Sequence, residues 1–336
     1  MENPSLKVLF GFKRPRPESN PYRILLVDNL PDDVEPLHFG WNTALFGGYD
    51  VLHIQWLEHF TDTSAGVRGF AKRLCLRLLA RRLREREIPV VVTMHNEAPH
   101  ETLNDRDLHN YRAFAKLVSA YVTLNRHTKT PDGVHRREIP HGHYRDWYKI
   151  PVRRTRDVNP RALFFGMVRP YKNIEDLIDA FTQLDRDASL RILGSPNSDE
   201  YAGTLHELAC GDERITLNLR HIDDDRLTQE IVDANLVVLP YRSMHNSGAA
   251  LLALSLNTPV VVVDNEVNQD LRAEFGDQFV FLFREVLDRV QLEEAFECLG
   301  QSGTEAAAVG MSKRSWDVIG EKHAALYREL VCCTLN

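Results

Sequence analysis

Apolar residues in this chain fall into short buried-type runs, separated by stretches in which they recur every three or four positions. In the second half the runs lie near 162–166, 190–193, 214–217, 236–239, 259–263 and 278–283, and read as strands. The first is followed by Ile174, Leu177, Ile178 and Phe181, the i, i+3, i+4, i+7 spacing of a core-facing helical stripe. In the first half RILLV (23–27), DVLHIQW (50–56), IPVVVTM (88–94) and AYVTL (120–124) read as strands. Between the second and third of these, Val67, Phe70, Leu74, Leu78 and Leu79 predict a helix over 67–87, packed on the sheet by Phe70, Leu74 and Leu78. A second helix is expected over roughly 105–119, and a last one over 312–331, carrying Trp316, Ile319, His323, Leu326 and Tyr327. Strands alternating with helices imply α/β architecture with mostly parallel sheets covered on both faces.

The pattern breaks once. YRDWYKIPVRRTRDVNP is aromatic, basic and bounded by proline, which marks 146–160 as a linker between a domain at 1–145 and another at 161–311. The segment 312–336 is expected to pack back on the first domain. A chain of 336 residues accommodates two domains of ordinary size. Its net charge of −7 argues against general nucleic-acid binding. Five cysteines without paired spacing indicate neither a disulfide framework nor a zinc site, so a reducing cytoplasm is the expected home. No signal peptide is legible at the N-terminus, and no apolar run approaches the ~18 residues of a membrane span. The helix at 67–87 is strongly basic, with Arg68, Lys72, Arg73, Arg77, Arg81, Arg82, Arg84 and Arg86 against Glu85 and Glu87. Such a helix either packs on the sheet as an ordinary surface element or also lies peripherally on the anionic inner face of a membrane.

The richest chemistry lies between 162 and 263. There, strands run into Gly, Pro or Ser turns and then into amphipathic helices, the way α/β folds build a ligand crevice at strand carboxyl ends. Gly166, Arg169 and Lys172 follow one strand; Asn246, Ser247 and Gly248 follow another and open a helix. Arginine can fork to phosphate oxygens, lysine supplies a point charge, and a helix N-terminus offers free N–H groups. Together they suggest a diphosphate pocket, although two solvated loop charges and a plain helix cap are the alternative. No GxGxxG follows a strand, which disfavours a nicotinamide dehydrogenase. His95 and His100 stand five apart with no second pair at ligand spacing, so no metal site is expected.

FFGMVRPYKNIEDLIDAF, LRILGSP and the block from Ala234 to Asp264 resemble the donor half of GT-B glycosyltransferases. DVLHIQWLE, VVVTMHNEAPHE and IPHGHY resemble the acceptor half of bacterial polysaccharide glycosyltransferases, including β-mannosyltransferases that act on lipid-linked sugars. The resemblance implies two Rossmann-like domains facing across a cleft. It implies transfer of a hexose, mannose first, from a nucleotide diphosphate sugar to a glycan or lipid-linked acceptor. GDP-mannose is the expected donor, then a UDP-sugar, with no metal or other cofactor. Arg169, Lys172, Gly166, Asn246, Ser247 and Gly248 are the expected donor contacts. On the acceptor side His95, Glu101 and Glu58 are the candidates for proton transfer, with Asn96 and His100 nearby. His95 could instead only orient the sugar, His100 and Glu101 could merely cap the next helix, and His53 reads as a satisfied core histidine.

Two places depart from the family pattern. Met167 stands where an arginine usually follows the turn glycine, and the usual glutamate pair falls on Met244 and Leu252. Two further readings therefore stay open: a sugar-nucleotide epimerase of the same fold, and a noncatalytic sugar-nucleotide-binding subunit of a polysaccharide assembly complex.

Overall fold

The computed structural model describes residues 5–16, 20–63, 66–95, 105–152, 159–301 and 310–334. The chain forms two compact units, one made of residues 1–142 and 313–336 and the other of 143–312.

In the first unit the order is β1 (Leu6–Phe10), α1 (Pro21–Asp28), β2 (Val34–His38), α2 (Trp41–Phe46), β3 (Val51–Ile54), α3 (Leu57–Thr61), α4 (Gly66–Glu85), β4 (Val90–Met94), α5 (Asp105–Ala115), β5 (Val118–Thr123) and β6 (His135–Glu138). The second unit follows with β7 (Arg161–Phe165), α6 (Ile174–Thr182), β8 (Ser189–Leu193), α7 (Asp199–Ala209), β9 (Ile215–Asn218), α8 (Asp224–Asp233), β10 (Leu236–Val238), α9 (Gly248–Ser255), β11 (Val260–Val263), α10 (Glu266–Phe275), β12 (Val280–Phe283) and α11 (Arg289–Gln301). The chain then returns to the first unit as α12 (Trp316–Thr334).

Each unit has a six-stranded sheet whose strand pairs are parallel, ordered β2-β1-β3-β4-β5-β6 and β9-β8-β7-β10-β11-β12. The second order is that of a doubly wound nucleotide-binding fold. In both sheets the winding direction reverses, between β1 and β3 in one and between β7 and β10 in the other. Ligands bind outside the strand carboxyl ends at such a point. The strand interiors suit this burial: Val260–Val263, for example, is four valines, all buried.

Three sequence expectations change. RILLV is not a strand: Pro21 at the first turn, Asn20 accepting from the Tyr22 N–H, and buried Tyr22, Leu25 and Leu26 make it helix α1. A five-residue apolar run is ambiguous between strand and helix, and the i, i+3, i+4 placement of the buried residues decides it. The first strand is instead LKVLF, with Val8, Leu9 and Phe10 fully buried, and β2 and β6 went unread because polar residues interrupt them. On α4 the buried positions are Gly69, Leu76, Leu79 and Leu83, whereas Val67, Phe70, Leu74 and Leu78 are exposed. The helix carries two apolar stripes, and of the expected repeat only Leu79 lies on the one that the sheet takes.

Strand alternation sends Leu9 and Leu52 into the core shared with α4, and their neighbours Phe10 and His53 toward the opposite face. There α12 covers the sheet. His53 Nδ1 lies 2.6 Å from the Tyr327 hydroxyl and its Nε2 2.8 Å from Thr93 Oγ1, so it is a core histidine with both nitrogens engaged. His323 stacks on His53 with ring centroids 5.6 Å apart. Gly320 lets α12 approach the end of α1: a Cβ there would stand 1.9 Å from the Asn29 carbonyl oxygen.

Candidate functional site

In the second unit the candidate donor residues come from the two strands that flank the winding reversal. After β7, Gly166 takes φ of +114°, and Gly194 after β8 takes +142°, conformations that side chains rarely adopt. A Cβ on Gly194 would lie 1.8 Å from the Gly166 carbonyl oxygen, so the two turns close on each other only as glycines. The chain then passes Arg169 and a single 3-10 turn, Pro170–Lys172, into α6. Arg169 Nη1 donates to the Val168 and Ser195 carbonyls at 2.9 and 3.1 Å. Lys172 is buried, and its Nζ lies over the Phe164 and Tyr241 rings at 5.7 and 5.0 Å from their centroids. Neither cation has a carboxylate partner among the described residues. Burial, and next the Arg169 charge, lower the lysine pKa to about 8. An ammonium held over two ring faces without a counter-ion suits an anion arriving from solvent.

Tyr241 belongs to the loop after β10, so Lys172 reaches across the reversal point. Asn173 Nδ2 also donates to the Pro240 carbonyl at 3.5 Å, and Arg242 forks onto Asp176 at 2.9–3.1 Å. This loop ends at α9, where Ser247 caps the helix by accepting from the Ala250 N–H at 3.2 Å. Asn246 precedes the cap, and Gly248 sits beside the Tyr144 hydroxyl. Met244 and Leu252, at the family's glutamate places, are both buried and apolar.

In the first unit His95 directly follows β4. It stacks on Trp56 with centroids 4.1 Å apart, meets the Tyr22 ring edge-on, and its Nε2 lies 3.0 Å from Gln55 Oε1. Gln55 Nε2 in turn lies 3.3 Å from His53 Nε2. Burial, followed by the charges of His141 and Arg23, lowers the His95 pKa to about 3. The ring is therefore neutral near neutrality and a weak proton acceptor. Glu58 lies in the first turn of α3, and its charge helps to raise the Tyr111 pKa. It lines neither of two cavities bounded by described residues of this unit. Asn96, His100 and Glu101 lie outside the described residues.

Those two cavities, each of about 430 Å³, share Gly11, Lys13, His59 and Phe60 and so form one groove. It sits at the carboxyl ends of β1 and β3, the reversal point of this sheet. Sequence reasoning missed Trp56 and Arg23 here, and Phe164 and Tyr241 around Lys172. Trp56 had a signal: an aromatic residue two positions after the buried run VLHI, just past a strand end. Arg23 was hidden by reading its segment as a strand. Among the described residues no cluster of three or more His, Cys, Asp or Glu could hold a metal, and no helix is long and apolar enough to cross a membrane.

Residues 159–294 match the family described as glycosyl transferases group 1. Over 97% of its length the chain is 37% identical to a GDP-mannose:glycolipid 4-beta-D-mannosyltransferase of Xanthomonas campestris pv. campestris, covering 93% of that protein. Among solved structures, a sucrose-phosphate synthase of Thermosynechococcus elongatus superposes with a TM-score of 0.65 at 16% identity, covering 98% of this chain and 100% of that one. AviGT4, a glycosyltransferase involved in avilamycin A biosynthesis, does so at 0.59 and 14%, covering 97% and 98%. The structural matches establish the GT-B fold, with its two Rossmann-like domains. The sequence relation decides against the epimerase and the noncatalytic subunit. Fold, turn motifs and near full-length identity together place the chain in the group 1 glycosyltransferases, enzymes that transfer sugar from a nucleotide sugar.

Proposed function

We propose that this enzyme transfers mannose from GDP-mannose to a glycolipid and makes a β-linkage, with the donor held by the second unit and the acceptor by the first. The observation that carries the donor assignment is Lys172, a buried ammonium over Phe164 and Tyr241 at the reversal point of a nucleotide-binding sheet. Arg169 and the N-terminus of α9, with Asn246, Ser247 and Gly248, complete a cradle for the two phosphates. As the glycosidic bond breaks, negative charge grows on the leaving diphosphate, and preorganised cations and N–H dipoles lower that barrier. These groups supply the charge that a metal ion would otherwise bring. The identity of donor and acceptor draws on the name of the Xanthomonas relative.

A β-product from an α-linked sugar nucleotide requires inversion, and a base must take the proton of the attacking hydroxyl. His95 is too weak a base for this and is assigned to orienting the acceptor. Glu101, which follows β4 in the sequence, is assigned as the base. The enzyme is further proposed to work on a membrane surface, held through the exposed stripe of α4 and its arginines.

Incubating the protein with GDP-mannose or UDP-glucose and a glycolipid extract, followed by mass spectrometry of the lipid, tests the reading. A mass gain of one hexose from GDP-mannose is expected. Lys172→Ala should cut turnover about ten- to a hundredfold, the loss of one charge-assisted contact. His95→Ala should reduce transfer while leaving GDP affinity intact. Hexose transfer from UDP-glucose alone, or wild-type kinetics in Lys172→Ala, would refute the assignment.

A further inference from the structure

Gln55 directly follows β3 and has a histidine at each end of its amide. Its Oε1 lies 3.0 Å from His95 Nε2, and its Nε2 lies 3.3 Å from His53 Nε2. Beyond His53 the row continues to Thr93 Oγ1 at 2.8 Å and, from the other ring nitrogen, to the Tyr327 hydroxyl at 2.6 Å. Gln55, His53, Thr93 and Tyr327 are each exposed by 2% or less, so bulk water does not decide where their protons sit.

The amide gives this row a direction. A carbonyl oxygen only accepts and an NH2 group only donates. Gln55 Oε1 therefore requires a proton on His95 Nε2, and Gln55 Nε2 requires a lone pair on His53 Nε2. His53 then carries its proton on Nδ1 and donates it to the Tyr327 oxygen, while the Thr93 hydroxyl donates to Nε2. The hydrogen bonds run head to tail from His95 through Gln55 and His53 to α12. In a neutral imidazole the bond made by one nitrogen settles the state of the other. His95 is neutral near neutrality, because burial lowers its pKa to about 3. With Nε2 protonated, its Nδ1 carries the lone pair.

Stacking cannot do this. Trp56, which lies against His95 at 4.1 Å, is itself held by the Arg23 guanidinium, 4.7 Å from its centroid and 5.2 Å from that of Phe12. That arrangement fixes the plane of the His95 ring and leaves its tautomer open. A carboxylate in place of Gln55 would select the same tautomer but would also favour a charged ring. The amide orients the ring without charging it.

We propose that Gln55 is a positioning residue for sugar transfer, locking His95 in its Nε2–H form so that the ring accepts a hydrogen bond from a hydroxyl of the acceptor sugar. The proposal rests on the reading of His95 as the residue that orients the acceptor. The hydroxyl held in this way is a neighbour of the attacking one, whose own proton goes to the base. In the opposite tautomer the ring would present an N–H, and could bind the lone pair that the attacking oxygen needs.

Two-bond proton–nitrogen spectra of the full chain, labelled at its histidine nitrogens, read the tautomer directly. The His95 signals are those missing from His95→Ala. The wild type should show Nε2–H. Gln55→Met, of similar length but without the amide, should show a mixture of tautomers, with GDP affinity unchanged and kcat for hexose transfer lowered about five- to tenfold. In a His95→Ala background the same substitution should have no further effect. Gln55→Glu keeps the accepting oxygen and should restore the Nε2–H form. Its charge joins Tyr22, Arg23, His53 and His141, the other described titratable groups around the ring, and should raise the pH at which His95 takes a second proton. Should Gln55→Met fail to fold, Gln55→Glu carries the test alone. An Nδ1–H ring in the wild type, an unaltered tautomer in Gln55→Met, or an unshifted titration in Gln55→Glu would overturn the proposal. A tautomer that follows Gln55 while transfer stays at the wild-type rate would leave the lock standing and defeat the orienting role of His95 instead.

Discussion

Lys172 and His95 show how burial sets what a single side chain can do. The lysine is still protonated at neutrality, but its pKa of about 8 brings the loss of that charge within reach of a modest rise in pH. Only the charged form attracts a diphosphate, so affinity should be full below about pH 8 and fall above it, by up to about tenfold per unit. GDP titrations from pH 7 to 10 measure this. Lys172→Arg should flatten the curve, because a guanidinium stays charged, and its profile also isolates any ionisation of the nucleotide. A wild-type curve parallel to that of the arginine variant would show that Lys172 does not meet the phosphates. Stability moves the other way: between pH 8 and 10.5 the unfolded chain holds a proton that the folded chain lacks, so the fold gains as pH rises. For His95 the same desolvation removes basicity, and a residue whose loop position suggested proton transfer becomes better suited to holding a hydroxyl.

At the level of single elements, α4 combines an inner stripe of Leu76, Leu79 and Leu83 with an outer one of Val67, Phe70, Leu74 and Leu78. Part of its charge is structural: Arg82 donates to the Leu45 carbonyl at 2.6 Å and to that of Gly47, and lies over Tyr49. Arg81 pairs with Glu85 at 2.7 Å. Arg68, Arg77 and Arg84 remain exposed beside the outer stripe. Liposome sedimentation should show binding to vesicles containing anionic lipid, weakened by salt. Phe70→Ser/Leu74→Ser should release the protein even at low salt, and Arg77→Glu/Arg84→Glu should remove its preference for anionic lipid. Equal pelleting of both variants with the wild type would sink the membrane reading. This helix also marks a limit of sequence reading. The spacing of Val67, Phe70, Leu74 and Leu78 is truly helical, but periodicity names a face without saying what covers it. Long, fully apolar runs such as Val260–Val263 left no such choice, and every strand of the second sheet was legible. In the first sheet RILLV misled, because Tyr22, Leu25 and Leu26 sit as well on a helix as on a strand. The turns after β7 and before α9 stood out in the sequence because they pair unusual residues with a strand end. The aromatic seats of Lys172 and Arg23 were not, since Phe164, Tyr241, Phe12 and Trp56 come together only through the sheet.

Among the described residues of the whole molecule, the histidines whose pKa burial lowers furthest gather in one unit. Burial takes His95 to about pKa 3 and His141 and His323 to about 4, and His53 is lowered well below 6.5 for the same reason. All four belong to the unit that α12 completes. Below pH 6.5 the unfolded chain takes up protons that the folded unit refuses, so stability is lost as pH falls from 6.5 toward 4, by at most ~1.4 kcal/mol per pH unit for each ring. Pulse proteolysis in urea at pH 7.5 and pH 5 should show fragments of residues 1–142 appearing at lower urea in acid, with fragments of 143–312 shifting less. A larger acid shift in the second unit would contradict the assignment.

The hydrogen bond between His53 and Tyr327 spans 274 positions, and the whole of the second unit is translated between its two ends. During synthesis the second unit can therefore close as soon as its own strands emerge. The first must wait with the Phe10–His53 face of its sheet uncovered until α12 arrives. Over that interval the nascent chain displays a wet histidine and bare strand faces, which is the time and place at which a chaperone, or a mistaken neighbour, would find it.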